Sequence, residues 1–148
     1  MKRVAALGLD VGRKRMGVAG CDGTGLIATG LTTIYRTSLA EDIRQLKEII
    51  EEREVEILVI GLPYTLDGSI GSQAKKIQKF SNRISQILDL PIEYVDERLT
   101  SVEAETRLKA LKKFSTRDKG AIDRQAAEII LQQWLDLRRS KNSLVNNQ

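Results

Sequence analysis

The 148-residue sequence contains no histidine and only one cysteine, Cys21. Disulfide frameworks, zinc centres built on Cys and His, serine–histidine triads and imidazole general bases are therefore excluded together. No apolar run approaches the roughly 20 residues that cross a bilayer. The start, MKRVAALGLDVGRKR, meets charge and glycine too early for a signal peptide. The expectation is a cytoplasmic protein without a membrane partner. What remains for chemistry is Asp, Glu, Lys, Arg, Ser and Tyr, and carboxylate oxygens favour hard cations such as Mg²⁺ or Mn²⁺.

What is present suits one folded domain. The length allows one sizeable core, and 41% apolar against 30% charged residues is a globular balance. The domain is expected over residues 1–138, with 139–148 a polar, disordered tail. The net charge of +4 is modest, but it is segregated. EDIRQLKEIIEEREVE at 41–56 carries seven acids against three bases, whereas RLKALKKFSTRDK at 107–119 carries six bases against one acid. GRKR at 12–15 and Lys75, Lys76, Lys79 and Arg83 repeat the basic bias. Solvated helix faces would give such runs, and so would contacts to a polyanion.

Hydrophobic periodicity divides the chain into elements. RVAALGLDV, MGVAGCD and LIATGLTTIY, separated by glycine-rich turns, predict an antiparallel meander. From Ser38, an N-cap candidate, Leu39, Ile43, Leu46, Ile49 and Ile50 recur at helical spacing. EILVIGLP predicts a buried strand, QAKKIQKFSNRISQIL a second helix and LPIEYVDERL a fifth strand. SVEAETRLKALKK and AIDRQAAEIILQQWLDLRR predict two further helices. The order βββαβαβαα implies an α/β fold: a five-stranded mixed sheet with helices on both faces, the later strands parallel to the first through right-handed crossovers. In such sheets ligands gather at the carboxyl ends of the parallel strands, where Asp10, GLP at 61–63, Asp96 and Glu97 fall.

Asp10 interrupts an apolar strand within GLDVG, where an unpaired carboxylate is costly to desolvate. The flanking glycines would let a phosphate or metal approach, although a strand-end Asp bonded to a turn gives the same pattern. The spacing is not G-x-G-x-x-G and a strand follows, so a dinucleotide site is rejected. In YVDERLTS the adjacent Asp96 and Glu97 point to opposite faces, and at most one shares Asp10's side. Asp123, in GAIDRQAAEIIL, complements a helix dipole but also borders the face of Ala126, Ala127 and Ile130. Three such acids would repel one another unless one or two Mg²⁺ ions lay between them, a combination suited to phosphoryl transfer. The loop LPYTLDGSIGSQAKK offers Ser69 and Ser72 before a helix with Lys75 and Lys76, either an ordinary connection or an anion site.

Taken together, GLDVGRKRMGVA, GLPYTLDGSIG, VDERLTS and KGAIDRQAAEIIL resemble, in order and spacing, the YqgF family of pre-16S rRNA nucleases and Holliday junction resolvase-like proteins. The resemblance covers Arg3 to about Asp136. It implies a ribonuclease H-like fold, Glu97 as the strand-five acid, and Asp10, Glu97 and Asp123 as catalytic ligands of Mg²⁺ or Mn²⁺. The expected activity is a metal-dependent endonuclease maturing the 5′ end of pre-16S rRNA in ribosome biogenesis. Arg13, Lys14, Arg15, Ser69, Lys75, Lys76, Arg98 and Arg117 would hold the nucleic-acid backbone. Cleavage of branched DNA and a non-catalytic assembly or transcription factor are the alternatives. Expected partners are structured RNA precursor or branched DNA and ribosomal particles, for a monomer or weak homodimer. A sugar-kinase-like phosphotransferase lacks its second lobe.

Overall fold

The computed structural model describes residues 3–63, 69–97, 106–107, 109–110, 113 and 119–146. Five strands form one sheet: β1 (Ala6–Val11), β2 (Arg15–Cys21), β3 (Ala28–Tyr35), β4 (Ile57–Leu62) and β5 (Ile92–Asp96), in the order β3-β2-β1-β4-β5. β1 to β3 form the antiparallel meander, and β1–β4 and β4–β5 pair in parallel. β1 lies at the centre because its residues are apolar on both sides, so either face can be covered.

Strand alternation divides the core in two. Leu7, Leu9 and Val11 point to one face, joined there by Met16, Val18, Leu58, Ile60 and Leu62. Two helices cover it. In α1 (Leu39–Arg53), the cap Ser38 accepts at Oγ from the Glu41 amide at 3.2 Å, and Leu46 is buried on the sheet. α2 (Ser72–Leu88) adds Ala74, Ile77, Phe80 and Ile84. The opposite face presents Ala6, Ala19, Val59 and Val95 to α3 (Lys119–Asn146).

The segment beyond residue 138, expected as a disordered polar tail, is instead helical as far as Asn146. The helix is tied to the meander there: Arg139 donates to the carbonyls of Gly25 (3.0 Å) and Leu26 (3.2 Å), and Gln132 donates to Leu26 at 2.8 Å. Those bonds offset the low apolar content that suggested disorder. The helix expected over 101–113 lies largely outside the described residues; 106–107, 109–110 and 113 are helical.

Candidate active site

Asp10 is the penultimate residue of β1, paired with Gly17 of β2 and half-buried. It has the parity of Ala6 and Gly8, so its side chain leaves the sheet on the α3 face. The neighbouring glycine on β2 explains how the helix reaches it. A Cβ on Gly17 would fall 1.8 Å from the carbonyl oxygen of Asp123, so only glycine lets the beginning of α3 rest on the strand beside Asp10. Thr33 anchors the same helical turn, its hydroxyl donating to the Gly120 carbonyl and accepting from Arg124 at 3.5 Å.

Glu97 directly follows β5 and continues the parallel pairing, its amide donating to the Leu62 carbonyl at 3.1 Å. It shares the parity of Val95, which is buried against α3, so the ambiguity between Asp96 and Glu97 resolves by face. A Cβ on Gly61 would lie 3.0 Å from Glu97 Oε1 and 2.6 Å from Ile130 Cδ1, so this carboxylate passes over Gly61 beside the helix. Asp96 has the parity of Ile92 and Tyr94, which pack with the other cluster.

Asp10, Glu97 and Asp123 therefore share one face at the carboxyl ends of the parallel strands. They are not gathered around one point: among the described residues no three of His, Cys, Asp and Glu stand close enough to hold one ion. Asp123 is engaged by Arg15, whose Nε donates to Oδ2 at 2.7 Å, both side chains being about a quarter exposed. Arg15, expected on the nucleic-acid backbone, is thus the cation beside an acid. The glycines flanking Asp10 also differ from the expectation of an open ligand approach. Gly8 seats Leu131, whose Cβ would lie 2.7 Å from an added Cβ, and Gly12 closes the hairpin turn against the Arg15 carbonyl.

The other expected contacts are spread around this end of the sheet. Arg13 and Lys14 are exposed in the turn between β1 and β2, and Ser69, Lys75 and Lys76 are exposed before and within α2. Arg13 and Lys76 line a crevice to which Arg36, Lys79 and Arg83 also contribute. Those three were not among the expected contacts, although the basic spacing of Lys76, Lys79 and Arg83 along one helix signalled two of them. Arg98 and Arg117 lie outside the described residues.

Residues 4–137 match the family model described as RuvX: Holliday junction resolvase. A protein of Rippkaea orientalis, provisionally named pre-16S rRNA nuclease, is 71% identical over 139 residues, covering 94% of this chain and 100% of its own length. A Synechocystis protein of the same provisional name is also 71% identical, over 94% of this chain and 91% of its own. Among solved structures, Thermus thermophilus RuvC in complex with a Holliday junction substrate superposes with a TM-score of 0.58 at 11% identity, covering 92% of this chain and 96% of that one. That similarity is one of fold, the ribonuclease H-like arrangement of a mixed five-stranded sheet with helices on both faces. With a match extending from the first strand to the last helix, the chain belongs to the RuvX family.

Proposed function

We propose that the protein is a divalent-metal-dependent endonuclease that matures the 5′ end of pre-16S rRNA, with Asp10, Glu97 and Asp123 as its catalytic acids. The observation that carries this reading is their common placement on the α3 face, where Gly17 and Gly61 admit the helix and the Glu97 carboxylate. Hydrolysis of a phosphodiester requires water to attack phosphorus as the opposite P–O bond breaks, with negative charge growing on the phosphoryl oxygens. The donor set is oxygen only, which suits Mg²⁺ or Mn²⁺. Asp10, Glu97 and Asp123 would hold such a cation only once their carboxylates draw together, and it would then supply an activated water and offset the developing charge.

The chain's own cations complete the proposal. Arg15 balances Asp123 and lies beside the incoming phosphate, while Arg13, Lys14, Ser69, Lys75 and Lys76, with Arg98 and Arg117 from the sequence, hold the backbone without reading bases. Ribosomal precursor particles in the cytoplasm are the corresponding partners. The names of the near full-length relatives favour RNA. The description of the family model favours a second reading, cleavage of branched DNA.

The test incubates pure protein and Asp10→Asn with precursor 16S rRNA and with a four-way DNA junction, with and without Mn²⁺. Mn²⁺-dependent RNA cleavage that falls at least ~100-fold in the variant, at unchanged melting temperature, is the expected result, since several kcal/mol of charge stabilisation is at stake. Cleavage of the junction alone would move the assignment to the second reading. Cleavage retained by Asp10→Asn would remove these acids from the mechanism, and tight RNA binding without turnover would indicate an assembly factor.

A further inference from the structure

A strongly basic crevice lies on the sheet face opposite the acids. It runs between the β1–β2 turn, the start of α1 and the side of α2, with a volume of about 390 Å³, and is lined by Arg13, Arg36, Lys76, Lys79 and Arg83. It adjoins a second space of about 480 Å³ that shares Arg13, Arg36 and Lys76 and reaches the first residues of α2. Lys76, Lys79 and Arg83 fall at i, i+3 and i+7 and so form one stripe along the helix. Arg13 enters from the turn and Arg36 from the residue after β3.

The charge is poorly balanced. Asp42 is the one carboxylate in the lining, and both its oxygens are used, by the Thr37 amide at 3.2 Å and by Arg36 at 3.5 Å. Five cations against one acid leave 5 − 1 = +4. Arg13, Lys76, Lys79 and Arg83 have no carboxylate partner among the described residues. Keeping four like charges together is unfavourable unless an anion accompanies them. The floor offers nothing to a base: Phe80 is 9% exposed and the Arg36 guanidinium covers its ring at 4.3 Å. Recognition here is of phosphates, independent of sequence.

Position supplies the connection to the acids. The turn that carries Arg13 into the crevice also carries Arg15 to Asp123, so a single hairpin joins the two faces. Arg13 is three steps along the chain from Asp10, which places their Cα atoms within ~11 Å. A strand advances roughly 3.4 Å per phosphate along a duplex axis, so a few nucleotides span the gap.

From this geometry we infer that the crevice is a second phosphate-binding track, holding the stretch of the nucleic-acid strand that continues past the carboxylates around the end of the sheet. The inference rests on the nuclease reading above for the identity of its ligand, and it extends that reading to residues on the far face.

The test measures binding of a fluorescent single-stranded RNA oligonucleotide in EDTA by anisotropy across a salt series, so that no cleavage contributes. Lys79→Glu/Arg83→Glu is expected to bind at least roughly tenfold more weakly near physiological salt, with a salt slope smaller by about 1.4 for two lost single-strand contacts. Lys47→Glu/Lys141→Glu makes the same change of charge elsewhere on exposed positions and is expected to bind nearly as the unmodified protein does. Circular dichroism checks that both fold. Equal weakening by the two double variants would reduce the effect to overall charge and overturn the track. Unchanged binding by Lys79→Glu/Arg83→Glu would overturn it while leaving the Asp10→Asn cleavage test standing. Capture of an acidic polypeptide such as polyglutamate in preference to RNA would give the crevice to a protein partner and also overturn the inference.

Discussion

The two faces of the sheet are built from different materials. Under α1 and α2 lie Leu7, Leu9, Met16, Leu58, Ile60 and Leu62, long side chains that are fully buried. Under α3 the sheet offers glycine, alanine and the shorter Val59 and Val95, and the bulk comes from the helix, as Ile130, Leu131 and Leu135 beside Ala127. Each fully buried Leu or Ile contributes about 1.5–3 kcal/mol, and on the first face the strands themselves carry them, whereas on the second they come from the helix. The second gives up side-chain volume so that the main chain of a helix can lie against a strand. What it gains is placement: Asp123 arrives next to Asp10 because nothing but Gly17 separates their backbones.

That contrast is open to attack from both sides. Leu46→Ala empties a buried position on the α1 face and is expected to cost 2–5 kcal/mol in urea unfolding, while cleavage at temperatures where the protein stays folded is unchanged. Gly17→Ala works in reverse. The added methyl meets the Asp123 carbonyl, and the shift of α3 is expected to cost about 1–3 kcal/mol but to lower single-turnover cleavage far more than Leu46→Ala does. If Leu46→Ala lowered cleavage of fully folded protein as much as Gly17→Ala, the division between the faces would fail.

A smaller effect is expected from Arg15→Gln. The guanidinium occupies Asp123 Oδ2, so its removal should tighten Mn²⁺ binding several-fold in calorimetry while weakening RNA binding. Looser Mn²⁺ binding would mean that Arg15 orders the acid and does not compete for it. The smallest effect lies far from the site, in the turn before β3. There the amide of Ile27 and the hydroxyl of Thr24 hold the exposed Asp22 carboxyl down to about 2, from an ordinary 3.8. Because the folded value is the lower one, the contribution is complete above the ordinary value and is lost as pH falls from about 4 towards 2. Amide resonances of Leu26 and Ile27 should titrate in that window, whereas Asp22→Asn should abolish the titration.

Much of the architecture was legible because periodicity and caps agree. The apolar positions from Leu39 to Ile50 and the Ser38 cap mark the start and the buried stripe of α1. The run in β1 announces a buried strand, and the acids fall at strand ends. Local pattern could not choose between Asp96 and Glu97, because alternation gives two faces without saying which one α3 covers. Packing of Val95 on that helix decides it. Nor could it find Arg36, which joins Lys79 and Arg83 only when the end of an edge strand folds against α2. The glycines of β1 were visible, but their purpose was not: a missing side chain signals close approach without naming what approaches. At the carboxyl end, composition suggested disorder, while the bonds of Arg139 to the Gly25 and Leu26 carbonyls are long-range and leave no local signature.

The path of α3 also bears on solubility. β3 is an edge strand, and edges with unpaired amides invite a strand from another molecule. Here the helix side chains intervene: Gln132 accepts from the Ala28 amide at 2.8 Å and Glu128 from that of Gly30 at 3.3 Å. The element that delivers Asp123 thereby also covers part of a template for aggregation, and Glu128 and Gln132 are the residues whose loss would expose it.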